Sequence, residues 1–320
     1  VSHHHAERID ELRDHKPPPL RPTDPLPVVL RAQMHTQFVQ LLQTEDACRL
    51  DKNVEALRTM RQAAAHLHLM VTLTEAEMGI VTAKKAEKRL RQLGDCLDAV
   101  YELDMMMRDI LHYGAALAQR MTIASIVAHL DARRLLAKHQ LVEFLDSKKY
   151  AKFVKRFQQF LLEPIEDFVD EPDPGDPQQT RHRLPALLHE QLATVRAYDP
   201  FMESNDSAVF TDLRADLTRF RHILVCFESM LGSSVTAYLK DLNALSELLD
   251  RIAELSATVH RLVHLPRLNM DTDQLSALQG YRRDLRTRRE KLYQQLPALW
   301  QDFNLRRTQE NLSQSILVLL

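Results

Sequence analysis

Seven side chains on two short segments have the types and spacing to hold an anion: Arg58, Arg61, His66 and His68 in the first, Arg214, Arg219 and Arg221 in the second. Guanidinium suits such a ligand because its planar fork pairs two acidic oxygens at once and its charge persists across the physiological range. At about 100° per residue, positions 61, 65 and 68, or 214, 218 and 221, fall on one narrow helical stripe. Met60, Ala64 and Leu67, like Leu213, Leu217 and Phe220, lie beside that stripe and supply apolar surface. The spacing predicts two amphipathic helices whose basic edges border a core and share one anionic ligand.

The two segments are copies. The phrase Glu55–His68 recurs 153 residues later as Ala208–Arg221, with Leu57 matching Phe210, Met60 matching Leu213, Arg61 matching Arg214 and Leu67 matching Phe220. His66 and His68 stand where the second copy has Arg219 and Arg221. Imidazole titrates near pH 6.5, so histidines facing an anion make its binding acid-sensitive. The competing reading is structural: Glu55, Asp212 and Asp216 are close enough in sequence to pair with the arginines, and the two histidines can serve as hydrogen-bonded residues at the core edge.

Two further tracts extend the basic surface. Arg133, Arg134, Lys138, Lys148, Lys149, Lys152, Lys155 and Arg156 are opposed only by Glu143 and Asp146 between residues 133 and 156. Lys148, Lys152 and Lys155 share a helix face, and the same spacing recurs as Arg282, Arg286 and Arg289; an ordinary solvated face has this pattern too. Metal and catalytic chemistry find less support. His66 and His68 are two residues apart, which sends their rings to opposite sides of a helix, and His260 and His264 have i, i+4 spacing without an accompanying carboxylate or cysteine pattern. No phosphate-cradling glycine loop or nucleophile elbow occurs, and Glu75-Ala-Glu77 is followed by Gly79 where a metal-dependent triphosphatase needs lysine. The expectation is a binding protein with no catalytic residues, metal or cofactor.

Only six glycines in 320 residues, 6% aromatic content and abundant Leu, Ala, Gln, Arg and Glu predict an all-α chain. The formal net charge of −2 gives no global attraction to nucleic acid or to an anionic membrane. No run approaches the roughly 18 to 20 apolar residues of a spanning helix, and three scattered cysteines, Cys48, Cys96 and Cys226, read as reduced thiols in a cytoplasmic protein. Six prolines between His15 and Pro27 mark residues 1–27 as a polar, proline-rich tail, with His3 to His5 either native or a purification remnant. Six carboxylates and several prolines mark 164–182 as an acidic linker between a first helical half, 28–163, and a second, 183–320. Apolar periodicity predicts helices near 28–47, 53–75, 82–118, 121–145, 148–163, 184–199, 207–231, 235–263, 273–295 and 298–318.

The segment Val54–His68 resembles the opening motif of the CHAD (conserved histidine α-helical domain) family, and Phe210–His222 resembles its second motif. Leu97-Asp-Ala-Val-Tyr-Glu-Leu-Asp104, Phe144-Leu-Asp-Ser-Lys-Lys-Tyr150, the stretch from Leu184 to Tyr198, and Leu296-Pro-Ala-Leu-Trp-Gln-Asp-Phe303 are similar to further family segments, so the resemblance covers about 29–318. It implies two related helical bundles forming a pseudo-symmetric unit that binds inorganic polyphosphate along a basic surface made by both halves. It also implies triphosphate-processing or polyphosphate-metabolising proteins as partners, and a cytoplasmic place near polyphosphate granules. The family's signature histidines are replaced here by Arg58 and Thr211, an arginine pair by Ala65 and His66, and a lysine by Thr218; Asp98, Tyr101 and Glu102 replace a glycine, an arginine and an aspartate. Asp250 and Arg251 replace an Asn-Asp pair, and the rival expectation is a helical interaction module that has kept the bundle and lost the phosphate role.

Overall fold

A computed structural model of the chain describes residues 5–50, 54–78, 81–116, 120–163, 176–202, 207–263 and 271–319. Those residues form α1 (Ala6–Asp14), α2 (Leu26–Arg49), α3 (Val54–Met78), α4 (Val81–Ala116), α5 (Arg120–Asp146) and α6 (Lys148–Leu162). After these come α7 (Thr180–Arg196), α8 (Ser207–Cys226), α9 (Ser234–Val263), α10 (Thr272–Tyr293), α11 (Leu296–Asn304) and α12 (Arg306–Leu317). The fold class is all-α; the described residues contain no strand beyond an isolated bridge between Pro25 and Gln179. His3, His4, Gly79, His264 and the heart of the acidic linker, 164–175, lie outside the described residues, as does the side chain of Glu77.

Helix boundaries follow local chemistry. Pro25 precedes α2 and Pro27 sits in its first turn, where a missing N–H costs no hydrogen bond. Ser147 caps α6 by accepting from the Tyr150 N–H at 3.1 Å, and Asp271 with Gln274 forms a reciprocal capping box on α10. The helix expected over 298–318 is instead two, broken at Leu305, whose backbone is extended. No proline or glycine marks the break. Side chains stabilise it: Gln309 donates to the Phe303 carbonyl at 2.7 Å, and the Thr308 hydroxyl lies 2.8 Å from Asp241 Oδ2 and 3.1 Å from the Asp302 carbonyl.

The chain divides into two compact units, one of Val1–Met105 with His129–Thr180 and the other of Met106–Ala128 with Arg181–Leu320. The division therefore assigns 106–128, from the end of α4 and the start of α5, to the same unit as the C-terminal helices rather than following a single cut at the acidic linker. In the second unit α9 is central, touched by α8, α10, α11 and α12. The last part of α4 is fastened to α10 by Asp109, which takes both Nη atoms of Arg288 at 2.9 and 2.6 Å and the Tyr281 hydroxyl at 2.6 Å. Burial pushes the Asp109 carboxyl up, but these donors outweigh it and hold the group below its usual value. Gly232, at φ +70°, turns the chain between α8 and α9 in a conformation that side chains with a Cβ rarely adopt.

In the first unit α2 packs along α3, with α1 and α6 against α2. Phe38 meets Phe153 and Phe157 edge-on at centroid distances of 6.3 and 5.0 Å. The supposed polar tail contains α1, which is docked: Ile9 and Leu12 are buried, and His35 donates to the Leu12 carbonyl at 2.9 Å. Two large apolar residues in nine were too few to signal a packed helix. Beneath it lies Glu45, fully buried, which accepts from Tyr150 Oη at 2.7 Å, Arg49 Nε at 2.9 Å and Nη2 at 2.8 Å, and His5 Nε2 at 3.2 Å.

Burial pushes the Glu45 carboxyl up, and the donors from His5, Tyr150 and Arg49 more than reverse this, leaving it below the ordinary carboxylate value. Its stabilising contribution is therefore complete above about pH 4.3 and is lost as pH falls through the folded value. Glu45→Gln is expected to cost about 3 kcal/mol at neutral pH by stranding a buried charge, and less in acid. Urea melts at pH 7 and pH 3 check this; a deficit equal at both would show that the charge of Glu45 is not what stabilises the fold.

Candidate anion-binding faces

The two copies of the basic phrase are helices in corresponding places, α3 in one unit and α8 in the other, and each buries the predicted apolar side. Leu57, Met60, Ala64 and Leu67 are buried on α3, as are Phe210, Leu213, Leu217 and Phe220 on α8. Their basic edges differ in what they meet.

Arg61 and Arg214 are half-exposed, at 39% and 40%, and each is held by a carboxylate from the following long helix. Arg61 Nε donates to Asp98 Oδ1 on α4, and its guanidinium lies over the Tyr101 ring, 4.6 Å from the centroid. Arg214 Nη1 donates to Asp250 Oδ1 on α9 at 3.1 Å. An Arg–Asp pair therefore occurs on both copies, with Asp250 standing 152 residues after Asp98. Three of the residues that depart from the family pattern, Asp98, Tyr101 and Asp250, are the groups that engage these arginines.

The rest of the α3 set is also occupied. Arg58 is exposed, 3.7 Å from Glu55. His66 Nδ1 lies 3.4 Å from Gln37 Oε1, and His68 Nε2 lies 3.7 Å from Glu87 Oε1. On α8 the carboxylates expected to compete are turned elsewhere: Asp216 accepts from the Tyr198 hydroxyl at 2.7 Å, and among the described residues Asp212 makes no ion pair with an arginine.

Arg219 and Arg221 are different. Both are half-buried and, among the described residues, neither forms an ion pair; Arg219 Nε is buried without a hydrogen-bond partner. On α10, Arg282 Nε, Arg288 Nε and Arg289 Nε share that condition, although Arg288 Nε lies 2.9 Å from Asp284 Oδ2 and Arg289 Nη1 reaches Ser256 Oγ at 3.4 Å. Arg286 is exposed. Setting aside Arg288, which Asp109 and Asp284 engage, the second unit presents three guanidinium groups whose desolvated Nε–H lacks an acceptor, at a cost on the order of 1–3 kcal/mol per donor until something accepts it.

The tract around α5 and α6 divides in a way that charge counting did not foresee. Lys138 is buried, and its ammonium donates to the Cys48 carbonyl, which removes it from any exposed surface. Arg134 is largely buried against Asp104. Arg133, Lys148, Lys152 and Lys155 are exposed. The Asp109–Arg288–Tyr281 cluster was missed; the i, i+4 spacing of Asp284 and Arg288 was the available signal for a structural rather than ligand-facing arginine. All three cysteines are free thiols, and burial raises Cys226 to about 12, which makes it a poor nucleophile. Among the described residues no group of three or more His, Cys, Asp or Glu is placed to hold a metal ion, and no helix is long and apolar enough to cross a membrane.

Comparison with known proteins adds the family context. The family model described as "CHAD domain" matches residues 32–263 and, overlapping these, 186–316. Among solved structures, the crystal structure of the CHAD domain from the plant Ricinus communis is similar with a TM-score of 0.73 at 20% identity, over 90% of this chain and 95% of that one. PptA from Streptomyces chartreusis is similar with a TM-score of 0.62 at 14% identity, over 87% of this chain and 100% of that one. At such identities the likeness is one of fold. No curated protein matches the sequence.

Arg219→Met keeps the apolar stem and removes the orphaned donor. It is expected to stabilise the unliganded protein by roughly 1 kcal/mol, read as a rise in Tm. A fall of similar size would mean that the guanidinium already has an acceptor.

Proposed function

Because the chain belongs to the CHAD domain family, we propose that it binds inorganic polyphosphate, or a polyanion of similar charge density, without transforming it. The observation that carries this reading is the set of unsatisfied guanidinium donors on Arg219, Arg282 and Arg289, with Arg221 on the same helix as Arg219 and free of ion pairs among the described residues. Each internal phosphate of the polymer brings about one negative charge and two acceptor oxygens, which suits guanidinium groups whose Nε–H is buried without an acceptor. Arg61 and Arg214 contribute only by exchanging Asp98 and Asp250 for phosphate, and the α3 histidines add charge only when protonated.

The non-catalytic part of the proposal rests on Glu75 and Glu77. Both positions belong to helix α3, whereas metal-binding carboxylates at two-residue spacing need a strand's period of two. On this reading the chain works in the cytoplasm, against polyphosphate granules, beside proteins that make, consume or process phosphate polymers.

A second reading, a helical interaction module, is favoured by the ion pairing of Arg61 and Arg214 and by Leu135 and Leu136, neighbouring residues of α5 that are 58% and 60% exposed. Titration with long-chain polyphosphate at several salt concentrations separates the two. Replacing Arg219 and Arg221 by alanine is expected to weaken binding at least tenfold and to reduce the salt slope by about 1.5, near 0.7 to 0.9 per lost phosphate contact. Asp98→Asn with Asp250→Asn releases two guanidinium groups and is expected to tighten binding severalfold. An isotherm unchanged by either pair of substitutions, at matched stability, would favour the interaction module.

A further inference from the structure

The first unit contains a cavity of about 420 Å³, within the size range of small-molecule sites, that the polyphosphate reading leaves unused. Its floor is apolar, built from Met34 of α2, Val71 of α3 and three phenylalanines of α6. The phenylalanine rings run as a ladder, with Phe153 and Phe157 centroids 5.5 Å apart and Phe157 and Phe160 centroids 6.0 Å apart. Around this floor stand Lys85, Lys88 and Arg89 of α4 and Lys149, Lys152 and Arg156 of α6.

Six cations meet at one concavity, and no carboxylate is among its described lining residues, in a chain whose net charge is −2. The carboxylate nearest in sequence, Glu87, is turned to His68 at 3.7 Å and Arg91 at 4.0 Å. Both cationic sets obey helical spacing: 85, 88 and 89 on one helix, 149, 152 and 156 on the other. Each therefore forms a stripe along its own helix while the aromatic residues between them turn inward.

A bare polyanion would gain from the cations and nothing from the rings, and a neutral lipid would gain the converse. A ligand that satisfies both has an apolar body and a multiply charged acidic head. We propose that this pocket binds a single-chain anionic amphiphile, an acyl chain bearing a phosphate-containing head group. The chain lies on Phe153, Phe157 and Phe160, where removing apolar surface from water drives association. The head meets ammonium and guanidinium groups that all but Arg89 hold well exposed, so they reach it without being desolvated beforehand.

The test is calorimetric titration of the full chain with 1-oleoyl lysophosphatidate kept below its micellar concentration, alongside glycerol 3-phosphate as the head alone and monooleoylglycerol as the uncharged chain. The charged amphiphile is expected to bind at least tenfold more tightly than either. Lys152→Glu with Arg156→Glu should weaken it at least tenfold, whereas Lys148→Glu with Lys155→Glu, an equal charge change at exposed positions of α6 outside the lining, should leave it within twofold. Equal binding of glycerol 3-phosphate, no binding of the oleoyl probe, equal loss in both double variants, or binding to phosphatidate vesicles without binding to the monomeric lipid would each overturn the pocket. Arg219→Ala with Arg221→Ala should leave the oleoyl isotherm unchanged, so this site and the polyphosphate reading stand or fall separately.

Discussion

A guanidinium group at the edge of a helical core must find an acceptor, and the sorting of this chain's arginines follows from that constraint. Arg49 has Glu45, Arg134 has Asp104 and Arg288 has Asp109; Arg61 has Asp98 with the face of Tyr101, and Arg214 has Asp250. Arg49 and Arg134 are the most committed to the fold, because removing their counter-charge would leave a poorly solvated cation, whereas Arg61, Arg214 and Arg288 keep more than a third of their side chains exposed. Arg219, Arg282 and Arg289 are not held in this way, and their unsatisfied donors are where an external anion has most to offer. Chemistry in this molecule is thus set less by how many arginines there are than by which ones lack a carboxylate.

The departures from the family pattern take on a physical sense in this light. Asp98 and Asp250 occupy positions where the pattern has a glycine and an asparagine, and each pairs with the arginine of the repeated phrase. An acid on the neighbouring helix gives each of these cations a counter-charge within the fold. An Arg–Asp pair thus recurs in both halves, although the two aspartates replace different residues of the pattern.

Much of the fold was legible because apolar residues recur at helical spacing, and the pairing of Leu57, Met60 and Leu67 with Phe210, Leu213 and Phe220 survives as buried faces on α3 and α8. The site was less legible because sequence reasoning looks for ion pairs within a turn or so. It found Glu55 beside Arg58 and proposed Asp212 and Asp216, but the carboxylates that hold Arg61 and Arg214 come from 37 and 36 residues away. Charge counting likewise could not see that Lys138 faces inward. On α6 the spacing was visible but the relevant stripe was not: Lys149 and Arg156, rather than Lys148 and Lys155, join Lys152 around the phenylalanines, and their counterparts on α4 belong to a helix that only packing brings near.

The docking of α1 bears on where this domain can be cut. The family match begins at residue 32, and the prolines invite a start at 28, so a shortened expression clone chosen by either guide would omit His5 and the whole of α1. Glu45 would lose one of its donors, and His35 would lose the Leu12 carbonyl that anchors it. Gln158 of α6 would lose Arg8 and Glu11, and the surface of α2 and α6 that α1 covers would meet water, so a trimmed recombinant fragment would be altered for reasons unrelated to the ligand it was made to study.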